Sequence, residues 1–262
     1  MMGQKRFPLG RVFISILLCW WMVMPVAMAR SWVDIKRSGI IRVAVEGMTP
    51  AFNFFDNGKL AGLEVDMAEE MAKRLGLKIE WVVQPFNTLL IGLTQDRFDL
   101  IAASHIITPE RSKAVDFITP HYCTDAQIFS KPGGPHTVAE LKDKVVVAGV
   151  GTVYADKAAG IPNLKQLLTV PNETDALMAL LNGRADAWVT ESVIAEAAFK
   201  ALPQKTEFQR GETILRLVNA MAVSKGNAEL QKIFSEQMQA MLNDGTYDKI
   251  THTYLEEELR CK

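Results

Sequence analysis

Asp99-Leu-Ile-Ala-Ala-Ser-His-Ile-Ile-Thr-Pro-Glu-Arg111 decides how this chain is read. Leu100 to Ala103 is apolar without alternation, as in a strand covered on both faces. Thr108-Pro109 then offers an N-cap residue followed by the proline that the first helical position favours. A buried strand therefore ends in small residues near Ser104, and a helix starts just beyond. Such a junction leaves backbone N–H groups open around Ser104, and the helix dipole favours an anion there by roughly 0.3–1 kcal/mol. Arg111 sits at the third helical position, where the dipole disfavours a cation. A ligand carboxylate would justify it, because the guanidinium fork matches that group. The alternative is a surface arginine balanced by Glu110.

Working outward, Val115-Asp-Phe-Ile-Thr-Pro-His-Tyr122 follows the helix. Together with Thr108-Pro-Glu-Arg111, this resembles the family 3 solute-binding proteins of amino-acid ABC importers, and the likeness runs from about Ile40 to Tyr247. The resemblance implies that Arg111 clamps a ligand carboxylate. It also implies a two-lobed periplasmic binding protein fold (type II), with two α/β lobes joined by two crossing strands. Residues 30–124 and 219–262 are expected to form lobe 1, and 125–218 lobe 2.

The sequence has its own argument for two lobes. Leu89 to Asp99 and Ala176 to Asp186 both read as helix, tight polar turn, Arg-x-Asp and strand, 87 residues apart. Ser104 and Glu191 each lie five residues past the repeated aspartate, so the two strand ends should face each other across a cleft. Asp125 to Lys131 and Ile214 to Ser224 are the expected crossings.

The N-terminus carries Lys5, Arg6 and Arg11, an apolar run from Val12 to Val26, and the small-x-small site Ala27-Met-Ala29. This reads as a signal peptide over 1–29, with an uncleaved anchor as the alternative. Cleavage removes three basic residues and moves the formal charge from −1 to −4, leaving no electrostatic footprint for nucleic acid. Of three cysteines, Cys123 and Cys261 survive cleavage, and the sequence leaves open whether they pair. The four histidines lack metal-ligand spacing, no metal or other cofactor is expected, and Gly149-Val-Gly-Thr152 lacks the third glycine of a dinucleotide fingerprint.

Candidate ligand contacts gather at predicted strand ends and helix starts. Glu46, after the strand Ile40 to Val45, is placed for a ligand amine or is a solvated loop carboxylate; Thr49 lies beside it. Phe86 reads as core by burial, whereas the resemblance sets it against the ligand. Ala103 and Ser104 end the central strand. Thr152 and Val153 open a helix whose free N–H groups, from Gly151 to Val153, offer a second carboxylate contact. Glu191 is suited to an ammonium. Two positions depart from the family pattern: Ile106 and Val153 stand where hydroxyl side chains are common, and Glu191 replaces an aspartate.

These residues imply a monomeric periplasmic receptor for a small ligand with a carboxylate and an amine, partnered by an ABC permease in the inner membrane. Two alternatives remain. Cyclohexadienyl dehydratases resemble the same family and would use a cleft carboxylic acid as general acid, a task open to Glu191, although Ile194 and Ala195 beside it are no help. The other is a sensory or accessory binding protein without its own permease.

Overall fold

The computed structural model describes residues 29–202, 206–256 and 259–261. All of the expected signal peptide except Ala29 lies outside the described residues. Arg30 leads into α1 (Trp32–Ser38), which Ser31 caps and Gly39 ends, and β1 (Ile40–Val45) follows. A small three-stranded sheet comes next, formed by β2 (Met48–Thr49), β3 (Asn53–Asp56) and β4 (Lys59–Ala61). The periodicity of α2 (Leu63–Arg74) buries Met67 and Met71, and acids open the helix while Lys73 and Arg74 close it. The lobe continues with β5 (Lys78–Val83), α3 (Phe86–Thr94), β6 (Leu100–Ile101), α4 (Pro109–Ala114) and β7 (Val115–Phe117).

The chain then builds a second sheet from β8 (Tyr122–Ser130), β9 (Val145–Gly149), α5 (Val153–Ala159), β10 (Gln166–Val170), α6 (Glu173–Leu181), β11 (Ala187–Glu191), α7 (Ser192–Lys200) and β12 (Gln209–Asn219). It returns to the first sheet with β13 (Ala222–Ser224) and finishes with α8 (Ala228–Asp244) and α9 (Thr246–Tyr254). The strand orders are β5-β1-β6-β13-β7 and β10-β9-β11-β8-β12. In each, three parallel strands are followed by one that runs against them and by an edge strand antiparallel to that one, so the two lobes share one plan.

The crossings differ in detail from the sequence reading. The outgoing strand begins at Tyr122, paired with Asn219, rather than at Asp125. The return is two strands instead of one: β12 ends at Asn219, Ala220 and Met221 step across, and β13 joins the first sheet. Both pieces are buried at the step, so the apolar run Ala220 to Val223 gives no sign of the handover. Cys123 and Cys261 form a disulfide, and Cys123 N–H also donates to the Leu259 carbonyl at 2.8 Å. The C-terminal segment is thereby tied to the start of the outgoing crossing. Closing a loop across 138 residues restricts the unfolded chain by about 5 kcal/mol in the chain-entropy account.

Candidate functional site

The carboxyl ends of the parallel strands in both lobes meet at one cleft, where ligands collect in open α/β sheets. In lobe 1, β1 runs out into Glu46 and Gly47. Gly47 holds φ at +77°, its N–H donates to Asn53 Oδ1 at 2.8 Å, and a side chain here would strike the Phe55 ring. Glu46 is buried, and one of its oxygens accepts the Thr49 hydroxyl at 2.7 Å. Burial pushes its carboxyl up to about 7; the Thr49 bond pulls the other way and the Glu173 charge adds to the rise.

At the end of β6 the structure corrects one expectation. Ser104 takes φ of +51°, and its N–H and hydroxyl both donate to Glu64 Oε2, at 2.7 and 2.9 Å. The amide expected to be open to a ligand anion is occupied by the chain's own carboxylate, since the second residue of α2 is buried directly against it. The other oxygen of Glu64 meets His121 Nε2 at 3.1 Å.

Arg111 opens α4 as the sequence predicts, its N–H donating to the Thr108 hydroxyl at 3.0 Å. Its guanidinium spans the lobes. Nη1 donates to the Ile106 carbonyl at 2.9 Å and Nη2 to the Gly151 carbonyl of lobe 2 at 3.0 Å. The guanidinium carbon lies 5.8 Å over the Phe86 ring, and that ring stacks on His105 at 4.5 Å. Burial lowers the affinity of Arg111 for its proton, while Tyr154, Asp156 and Glu191 oppose the loss. Burial and then the Arg111 charge push the His105 imidazole well below the usual histidine range.

From lobe 2, the Thr152 hydroxyl caps α5 through Ala155 N–H and donates to the Gly149 carbonyl at 2.7 Å. Both roles serve the local turn, which leaves the hydroxyl less to offer a ligand. Glu191 ends β11, fully buried, within reach of the Tyr122 hydroxyl at 3.3 Å and Asn219 Nδ2 at 3.4 Å. Burial holds its carboxyl well above the ordinary range; Glu173 and Glu64 add to this, and Tyr122 and Arg111 work against it.

Glu173 is the residue that the sequence reading missed. It opens α6, and its carboxylate accepts the Tyr154 hydroxyl on one oxygen and Trp188 Nε1 and the Thr190 hydroxyl, at 3.0 and 2.9 Å, on the other. Gly149 leaves room for it, because an added Cβ would lie 2.6 Å from Glu173 Oε1. The signal was available: the 87-residue repeat that links Asp99 to Asp186 also carries Phe86 onto Glu173.

Glu46, Thr49, Phe86, Ala103, Ser104, Ile106, Thr152 and Glu191 line one cavity of about 20 Å³, joined by Gly149, Tyr154, Glu173 and Ile194. Arg111 and Val153 are not on its wall; Arg111 stands beside it, bonded to the carbonyl of the wall residue Ile106. The space fits about one water, so admitting an organic ligand requires the lobes to part. Among the described residues, no three of His, Cys, Asp and Glu are placed to hold a metal ion.

Residues 41–257 match the family model of bacterial extracellular solute-binding proteins, family 3. The chain belongs to that family. This solute-binding protein is 30% identical over 224 residues to the L-cystine-binding protein TcyJ of Escherichia coli (strain K12), covering 84% of each chain. Among solved structures, it resembles an ancestral arginine-binding protein bound to arginine (TM-score 0.78, 32% identity, 83% of this chain and 98% of the other). It also resembles an ancestral amino acid-binding protein described as a precursor of cyclohexadienyl dehydratase (TM-score 0.79, 30% identity, 86% and 99%). These likenesses extend over both lobes, and the two-lobed α/β architecture is that of the family.

Proposed function

We propose that this solute-binding protein is a monomeric periplasmic receptor, exported by its signal peptide. It captures a small amino acid or related amine-carboxylate ligand and passes it to an ABC permease in the inner membrane. The observation that carries this reading is that Arg111 and Glu191 reach one cleft from different lobes, a cation for the carboxylate and an acid for the amine. Arg111 spends two donors on backbone carbonyls, and a ligand carboxylate replacing them would gain a charge-assisted, bidentate pair. Thr49, Ala103, Ser104, Ile106 and Thr152 surround that ligand, with Phe86 beneath the Arg111 guanidinium and Val153 set back from the wall. Opening and closing turn on the steps between Phe117 and Tyr122 and between Asn219 and Ala222, where the chain changes sheet.

Titration calorimetry with proteinogenic amino acids tests the reading. Arg111→Ala is expected to weaken the bound amino acid by about a hundredfold or more while leaving the circular dichroism spectrum unchanged. Unchanged affinity removes the clamp. Small-angle scattering should also show a smaller radius of gyration when the true ligand saturates the protein.

A dehydratase reading draws on Glu191, an acid whose carboxyl burial pushes well above the ordinary range. Ile194 on the same wall is apolar, but Glu46, Glu173 and Tyr154 share the cavity with Glu191. Turnover of a cyclohexadienyl substrate by the purified protein would replace the receptor reading.

A further inference from the structure

We propose that Gly151 sets how far the two lobes close and is thereby a positioning residue for ligand retention, because a side chain there would wedge the cleft open against Asn87. The inference rests on the receptor reading above, and it adds the residue on which closure depends.

Gly151 lies in the turn between β9 and α5 of lobe 2, and Asn87 is the second residue of α3 in lobe 1. Across the cleft the two backbones almost touch. A Cβ added to Gly151 would stand 2.9 Å from Asn87 Cβ and 3.3 Å from its Cα, inside the roughly 3.5–4.0 Å at which carbon atoms pack. Neither of those Asn87 atoms moves with a side-chain torsion, so no rotamer change relieves the overlap. The contact from Thr174 Oγ1 of lobe 2 to the Met48 carbonyl of lobe 1, at 3.4 Å, is looser and runs through a side chain that can rotate. The Gly151 carbonyl also accepts Arg111 Nη2 at 3.0 Å, and Asn87 directly follows Phe86, which lies under that guanidinium. A wedge at Gly151 therefore draws the lobe 2 carbonyl away from Arg111 as well.

Both partners are held too firmly to give way locally. Val150 N–H donates to the Val170 carbonyl at 2.8 Å, and the Thr152 hydroxyl donates to the Gly149 carbonyl at 2.7 Å while capping α5, so the turn is fixed on either side of Gly151. Asn87 is carried by α3, which is anchored through the buried Leu89 and Leu93. With both ends rigid, the overlap is relieved by rotation of the lobes about the crossing strands. Gly151 also takes φ of +78°, where alanine is strained, but that strain is the same whether the cleft is open or closed. Gly133 has the same φ and nothing within 4 Å of an added Cβ, so Gly133→Ala separates the strain from the wedge.

Calorimetry with the proteinogenic L-amino acids and L-cystine selects the tightest-binding probe, and stopped-flow fluorescence then follows its association and dissociation. Gly151→Ala should raise the dissociation rate about tenfold and leave association within about twofold, because the ligand enters the open form, in which Gly151 and Asn87 are apart. Gly133→Ala should change neither rate. Added to Asn87→Gly, which removes the struck Cβ, Gly151→Ala should raise dissociation by less than about threefold. An unchanged dissociation rate in Gly151→Ala, an equal rise in Gly133→Ala, or a full loss that persists beside Asn87→Gly overturns this inference alone. If no probe binds the unaltered protein, the receptor reading falls and this inference falls with it.

Discussion

The two lobes use one backbone scheme and put different side chains on it. Asp99 and Asp186, 87 residues apart, each donate an N–H to the carbonyl of the neighbouring strand, at Arg42 and Val145, at 2.9 and 2.8 Å. Each carboxylate accepts the N–H of that same residue, at 2.8 and 2.7 Å. Before them, Asp96 and Gly183 occupy equivalent turns with φ of +54° and +70°. The lobes part company beyond the backbone. In lobe 1, Arg42 and Arg30 converge on a buried Asp99, whereas Asp186 is exposed and no ion pair engages it among the described residues. Toward the cleft, the first residue of the equivalent helices is Phe86 in lobe 1 and Glu173 in lobe 2. After the equivalent strands, Ser104 turns left-handed onto Glu64, while Glu191 runs directly into α7. Backbone bonds thus set where the strand ends lie, and the side chains at those ends set what the cleft can hold.

The largest effect should come from breaking the shared aspartates. Asp99→Ala leaves two arginines facing a buried position and is expected to cost about 3 kcal/mol; Asp186→Ala loses chiefly one backbone partner and should cost about 1 kcal/mol. Urea unfolding of both variants measures the gap. Equal costs would mean that the ion pairs of lobe 1 contribute nothing beyond the common bond.

A comparable effect in the opposite sense belongs to the cleft end of the same sheet. Glu46 holds its proton to about 7 in the folded protein against 4.5 ordinarily. Between those values the folded state binds the extra proton, so stability falls as pH rises from about 4.5 to about 7, by about 3 kcal/mol for this group. Thermal midpoints across that range, with Glu46→Gln as the flatter control, test the sign. Glu173 and Glu191 act in the same direction. His105 opposes them, because burial keeps it neutral while the unfolded chain takes up a proton below 6.5.

The smallest expected effect concerns the paired turns. Gly183→Ala forces a Cβ into a left-handed turn with open space around it, so the cost is conformational alone, about 1 kcal/mol. Asp96 already bears that cost and offsets it with its 2.8 Å bond to Arg42 Nη2. Asp96→Gly should therefore change stability by less than Gly183→Ala, as read from urea midpoints.

The sequence alone determined a good deal. The uniform apolar run at Leu100, the Thr108-Pro109 helix start and the methionine stripe of α2 are local patterns, and each maps onto an element without reference to distant residues. The repeated Arg-x-Asp likewise specified two related lobes, because the bonds of Asp99 and Asp186 are backbone bonds that the motif repeats. Only the tertiary structure decided which carboxylates share the cavity. Glu64 lies 40 residues from the Ser104 amide that it occupies, and Glu46 meets the field of Glu173 from the other lobe. The pairing of Cys123 with Cys261 and the handover at Ala220 were settled in the same way. Local patterning reports which face of an element is buried, but a charge buried in a cleft is governed by what the opposite lobe brings to it, and that depends on how the chain closes in space.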